Sequence, residues 1–157
     1  MQPMANIALR AARKAADFIL LSFDRPDQLR IEEKTSKDFV SNIDKRAEEI
    51  IVEQIQTTYP THNILAEESG TTQVDKSNEY TWIVDPIDGT LNFIRGIPHF
   101  AVSIGIQKGR HLEHGVIVDP INREEYVASR GYGATLNGKK IRVSSSEFLK
   151  DGLVSAG

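Results

Sequence analysis

From Met4 to about Phe23, the apolar residues Met4, Ala8, Ala11, Ala15, Phe18 and Ile19 recur at the spacing of one helical face, and Asp24-Arg25-Pro26-Asp27 stops the pattern. This predicts a first amphipathic helix. The polar stretch Lys34-Thr35-Ser36-Lys37-Asp38 reads as a loop leading to Ser41, a good N-cap, after which Ile43, Ala47, Ile50, Ile51 and Ile55 mark a second helix ending near Tyr59-Pro60. Beyond Pro60 the period changes. Asn63 to Ala66, Tyr80 to Val84, Phe100 to Gln107, Leu112 to Val118 and Glu124 to Ser129 each read as a short strand bounded by turn residues. Gln107-Lys108-Gly109-Arg110 and Leu136-Asn137-Gly138-Lys139 suit tight hairpins. Helices followed by hairpin-linked strands predict an α+β fold, two N-terminal helices on a largely antiparallel sheet.

The 157 residues fit one domain, large enough to bury a core without disulfides or structural metal. With 39% hydrophobic and 26% charged residues the composition is that of a globular chain, and no apolar run nears the roughly 20 residues of a membrane span. Arg10, Arg13, Lys14 and Asp17 interrupt the first apolar segment, unlike a secretory signal, so a cytoplasmic location is the expectation. The absence of cysteine excludes thiolate catalysis and zinc-thiolate sites. A net charge of -3 offers no basic field for nucleic acid. The last residues, Leu153-Val154-Ser155-Ala156-Gly157, look like an apolar strand just beginning, and the expectation is that the sequence is the front part of a longer protein.

The chemistry concentrates in Ile83-Val84-Asp85-Pro86-Ile87-Asp88-Gly89-Thr90, where an apolar run ends in two carboxylates. Asp-Pro and Asp-Gly are also common turn punctuation, and taken alone the segment is as well explained as a turn. Ile64-Leu65-Ala66-Glu67-Glu68-Ser69-Gly70 repeats the arrangement, however. Two strands delivering acids to one place disfavour ionisation unless a cation sits among them. Hard oxygen ligands suit Mg²⁺, which prefers one or two carboxylates together with phosphate oxygens, so a phosphorylated small molecule is the expected substrate. Gly89-Thr90 then lets backbone approach an anion at the opening of a helix.

Trp82 to Thr90 with Asn92-Phe93, preceded by Glu67-Glu68-Ser69, closely resembles the inositol monophosphatase family, its bacterial SuhB-type members in particular. The likeness extends through Lys34 to Asp44, Pro98 to Ile104, and Arg130-Gly131-Tyr132-Gly133-Ala134 with Asn137-Gly138, so it covers essentially the whole chain. It implies a layered αβαβα sandwich shared with fructose-1,6-bisphosphatase, and a Mg²⁺-dependent, lithium-inhibited phosphatase acting on inositol monophosphates such as inositol 1-phosphate, commonly as a homodimer. Carried over by position, Glu67, Asp85 and the Ile87 carbonyl would hold one metal, and Asp85 and Asp88 a second. The Gly89 and Thr90 amides would receive phosphate, while Glu67 and the Thr90 hydroxyl, with Asp44 behind them, would orient water. The resemblance also implies that the loop of Lys34 and Asp38 closes near the metals. Family members carry a further metal-binding aspartate in a Trp-Asp-x-Ala-Ala-Gly motif, which is absent here, so the chain lacks the C-terminal half and is expected to have weak or no activity by itself.

Two rivals stand beside this reading. A haloacid dehalogenase-type phosphatase uses Asp-x-Asp-Gly-Thr, one residue shorter between its acids and set on a parallel sheet. SuhB-type proteins also act as partners in bacterial transcription antitermination on ribosomal RNA operons, which implies transcription factors or RNA polymerase as partners. Other features carry less. His111 and His114 flank an alternating strand pattern and are read as surface or edge residues; Lys108, Arg110, Lys139 and Lys140 as solvated hairpin tips; Trp82 and Phe93 as core.

Overall fold

The computed structural model describes residues 2–24, 33–72, 75, 77–148, 150 and 152–153, the side chains of 33–41 and 72 excepted. Helices α1 (Pro3–Phe23) and α2 (Glu33–Thr58) come first, followed by strands β1 (Asn63–Ala66), β2 (Gly70–Thr72) and β3 (Tyr80–Asp88). A short helix α3 (Thr90–Ile94) precedes β4 (Ala101–Lys108), β5 (His111–Asp119), β6 (Glu124–Ser129), β7 (Gly133–Leu136) and β8 (Lys139–Ile141). All eight strands form one sheet, ordered β2-β1-β3-β4-β5-β6-β7-β8. Among the described residues only β1 and β3 pair in parallel; the other neighbours are antiparallel, as expected. This sheet departs from the parallel one a haloacid dehalogenase-type site requires.

Helix α1 crosses β4, β5 and β6 with α2 beside it, and α2 lies over β3. Ala5, Ala8, Ala11, Ala12 and Ala15 are completely buried, and a face of such small side chains lets the helix approach its neighbours closely. Against it stand Val102, Ile104, Ile106, Val116, Val118 and Val127 from the sheet. Trp82 and Phe93 are fully buried, as expected. Because a buried indole N–H needs an acceptor, the Trp82 Nε1–H donates to His62 Nδ1 at 3.0 Å. Burial pushes the His62 pKa down, in keeping with that acceptor role.

Three expectations change. Helix α2 starts at Glu33 rather than at Ser41, so the predicted loop of Lys34 to Asp38 is helical backbone. Nothing from Glu33 to Tyr59 is Gly or Pro, and a residue suited to capping ends a helix only where the backbone before it leaves the helical region. The Lys34 and Asp38 side chains lie outside the described residues, as do residues 25–32 and, of the strand expected to begin over Leu153 to Gly157, residues 154–157. The strand read from Tyr80 to Val84 continues to Asp88, which takes Asp85-Pro86-Ile87-Asp88 out of a turn and into the sheet. Finally, β2, β7 and β8 are not among the expected strands, although the Asn137-Gly138 hairpin expected there joins β7 to β8. Among the described residues no helix is long and apolar enough to cross a membrane.

Candidate active site

The parallel register of β1 and β3 sets Ala66 beside Val84, so the next residues, Glu67 just past β1 and Asp85 still within β3, stand where the parallel pairing ends. The Glu67 N–H donates to the Val84 carbonyl at 3.2 Å and extends this ladder by one step. Carboxyl ends of neighbouring parallel strands are where open sheets hold ligands. Two acids are thus adjacent because of the sheet register.

A bulge adds the third. Asp85 pairs with Ser103 and Asp88 with Ala101, so three steps along β3 face two along β4. In an unbroken strand, residues an odd number apart face opposite sides; one extra residue returns Asp85 and Asp88 to the same side. Pro86, lacking an N–H, is tolerated within an interior strand at such an irregularity. Pro86 and Ile87 are both buried in succession, the local mark of the broken alternation.

Beyond β3, Gly89 sits at φ +97° as the N-cap of α3, and the Thr90 hydroxyl donates to the Ile87 carbonyl at 2.9 Å. A cavity of about 330 Å³ opens here, lined by Asp88, Gly89, Asn92, His99, Phe100 and Asp119. Asn92 Nδ2 donates to the His99 carbonyl at 2.8 Å, tying α3 to the segment that leads into β4.

On the helix side, α2 contributes two buried acids one turn apart, Asp44 and Glu48, exposed by only 3% and 4%. The Glu48 carboxylate accepts the Glu68 N–H at 2.7 Å and the Ser69 N–H at 2.9 Å. Asp44 Oδ1 and Asp85 Oδ1 are buried without a hydrogen-bond partner. Such orphaned acceptors are uncommon in a folded interior. The Asp44 pKa is pushed up to about 7, chiefly by burial and then by the charges of Glu68, Glu67, Asp85 and Glu48. Asp85 is likewise pushed up to about 7, by burial first, then by the charge of Glu67 and a hydrogen bond with it, and by Asp88, with the Ile87 amide opposing.

Among the described residues, no three acidic or histidine side chains are gathered so as to hold a metal ion as they stand. The electrostatic coupling nevertheless joins Glu67, Asp85, Asp88 and Asp44. The orphaned Asp85 Oδ1 weighs more heavily for fit, because an unpaired carboxylate oxygen is a ready ligand for a hard cation and small side-chain rotations change ligand distances. The residues therefore suit a Mg²⁺ ion. Glu48 was not picked out from the sequence, although its spacing from Asp44 on a helix face otherwise made of Ile43, Ala47, Ile51 and Ile55 was a visible signal. His111 and His114 play no part: His111 is exposed on β5, and His114 Nδ1 lies 2.9 Å from Ser129 Oγ. Lys108 reaches Glu79 at 3.7 Å from its hairpin tip.

The Asp44 shift has a measurable consequence. A carboxyl whose folded pKa exceeds its unfolded value contributes its stability below the unfolded value, about pH 3.8, and loses it as pH rises towards about 7. Metal-free Asp44→Asn is therefore expected to melt at a higher temperature than wild type at pH 8 and at nearly the same temperature at pH 4. Thermal denaturation in EDTA across that range measures it; a variant less stable than wild type at pH 8 would show that the ionised carboxylate is satisfied in the fold.

A model of the inositol monophosphatase family matches residues 1–157. "Nus factor SuhB" of Pseudomonas aeruginosa is 48% identical over 158 residues, covering 100% of this chain and 58% of that protein. The chain therefore spans less than two thirds of its curated relative's length. Among solved structures, the extragenic suppressor protein SuhB of Bartonella henselae superposes with a TM-score of 0.80 at 36% identity, over 92% of this chain and 56% of that one. The inositol monophosphatase of Anabaena (Nostoc) sp. PCC 7120 gives 0.77 at 35% identity, over 91% and 50%.

Proposed function

The chain belongs to the inositol monophosphatase family, and on that premise we propose that it forms the metal- and phosphate-binding part of a Mg²⁺-dependent phosphatase acting on inositol 1-phosphate and related phosphomonoesters. The observation that carries this reading is the placement of Glu67 next to Asp85 where the parallel pairing of β1 and β3 ends, together with the orphaned buried oxygen of Asp85. Glu67, Asp85 and the Ile87 carbonyl would hold one Mg²⁺, and Asp85 and Asp88 a second. Bound Mg²⁺ supplies charge neutralisation and a lowered pKa for bound water.

The chain's own groups do the rest. The Gly89 and Thr90 amides open α3 without intrahelical partners and suit phosphate oxygens. Glu67 and the Thr90 hydroxyl orient the attacking water, with Asp44 behind them as a buried proton acceptor. The Thr90 hydroxyl donates to the Ile87 carbonyl, which fixes it against the end of β3. In the complete protein the reading extends to a cytoplasmic homodimer inhibited by lithium.

The test is a Mg²⁺ titration of the metal-free, full-length protein by calorimetry, paired with phosphate release from inositol 1-phosphate. Saturable Mg²⁺ binding with Mg²⁺-dependent release is expected. A full-length protein that binds no Mg²⁺ would overturn the reading.

A second reading is favoured by the name Nus factor on the 48%-identical relative. The same fold would then serve as a partner of transcription factors or RNA polymerase in antitermination. Co-purification of RNA polymerase components with the full-length protein, undiminished by Asp85→Asn, is the outcome expected for that role; their absence from both proteins would remove it.

A further inference from the structure

We propose that Glu48 is a positioning residue for the acidic site: by clamping the Glu67-Glu68-Ser69 turn through two backbone N–H groups, it fixes where Glu67 stands beside Asp85. This rests on the reading of the site as a Mg²⁺ centre. The turn carrying Glu67 is held from two sides. From the sheet, the Val84 carbonyl accepts the Glu67 N–H at 3.2 Å. From the helix, Glu48 Oε2 accepts the Glu68 N–H at 2.7 Å and Oε1 accepts the Ser69 N–H at 2.9 Å. Three consecutive amides are therefore spoken for, and the backbone under Glu67 has little freedom to shift.

A carboxylate is the side chain that fits this task. Both of its oxygens accept, whereas an amide side chain would turn an N–H₂ group towards one of the two backbone donors. Charge-assisted bonds to backbone N–H are also shorter and stronger than neutral ones. Holding a buried carboxylate here has an electrostatic cost, because the Glu48 charge is one of those that push the Asp44 pKa up. A turn that merely needed closing could be held by a neutral hydroxyl without that burden. What the carboxylate adds is a rigid setting for Glu67, and catalytic sites lose heavily from displacements of about 1 Å. Helix α2 thus reaches the site twice from one face, with Asp44 towards the acids and Glu48 beneath the turn that carries one of them.

The experiment compares wild type, Glu48→Gln and Glu48→Asp in the full-length protein. Gln keeps the length and loses one acceptor; Asp keeps the charge and is one methylene too short to reach both amides. Mg²⁺ affinity of the metal-free protein is measured by calorimetry, alongside kcat, KM for inositol 1-phosphate, and the melting temperature in EDTA. Both variants are expected to bind Mg²⁺ about 10- to 100-fold more weakly, the range typical of groups that orient metal ligands. KM for the substrate should move less than the Mg²⁺ dependence of kcat. Folded variants with Mg²⁺ affinity within twofold of wild type would overturn the proposal, even if their melting temperatures fell, because that pattern belongs to a turn brace alone. If the Gln variant does not fold, Glu48→Asp decides by the same criterion. Wild type that binds no Mg²⁺ would overturn the phosphatase reading and the positioning role together, whereas intact wild-type binding with unchanged variants overturns the positioning role only.

Discussion

Asp85→Asn in the full-length protein is expected to abolish Mg²⁺-dependent phosphate release while leaving the fold intact. Asp85 is the acid that the others converge on: the charge of Glu67 helps to raise its pKa, Asp88 is returned to its side by the bulge, and its own Oδ1 has no protein partner. Asn conserves the volume, so no cavity opens. It replaces a carboxylate oxygen by an N–H₂ group that repels a cation, in the position assigned to both metals. Loss of a preorganised charge of this kind typically costs a factor of about 10²–10³ or more in turnover. The electrostatics predict the opposite sign for stability. Asp85 carries a raised pKa, so its ionised form burdens the metal-free fold above about pH 7, and the neutral Asn removes that burden. Melting in EDTA at pH 8 should therefore show the variant as stable as wild type or more so. Activity within about twofold of wild type would refute the assignment, and a large fall in melting temperature would mean that the loss came from unfolding.

The acids most legible in the sequence were those at strand ends. Glu67, Asp85 and Asp88 announce themselves because an apolar run that terminates in charge is easily seen. What the sequence did not disclose is how the last two come to share a side. Asp85-Pro86-Ile87-Asp88 has the composition of a turn, and only its pairing with β4, Asp85 to Ser103 and Asp88 to Ala101, keeps it in the sheet as a bulge. The helices were read from their apolar faces, but the start of α2 was misplaced because Ser41 is a plausible cap with no breaker before it. Glu48 was missed for a different reason. Its partners are the amides of Glu68 and Ser69, and a bond to backbone leaves no trace in the identity of the residue that donates it. Periodicity therefore yields the elements and the strand-end acids, while register and side-chain-to-backbone bonds decide how they combine.

Gly89 shows the same limit at a single position, and supplies the second large effect. It lies at φ +97°, a conformation that L side chains rarely adopt, and a Cβ placed there would stand 3.0 Å from the His99 carbonyl oxygen and 3.3 Å from the Phe100 Cα. Neither neighbour is the free end of a side chain: the His99 carbonyl accepts the Asn92 amide, and Phe100 packs at 5.1 Å against the buried Phe93. Gly89→Ala therefore combines backbone strain with a backbone collision, and a loss of about 2–4 kcal/mol is expected from the sum of a positive φ and an overpacked contact. Gly109 separates the two contributions, because it also has a positive φ, +57°, but nothing within 4 Å of its Cβ. Gly109→Ala should lose only about 1 kcal/mol. Urea denaturation of both variants measures the difference. If Gly89→Ala were no more destabilised than Gly109→Ala, the close approach of His99 and Phe100 would be too soft to matter, and the glycine would be required for its torsion angle alone. If it is much more destabilised, the segment from Pro98 to Phe100 is a rigid wall against the end of β3, and the Gly89 and Thr90 amides are held in place by contact as well as by the turn.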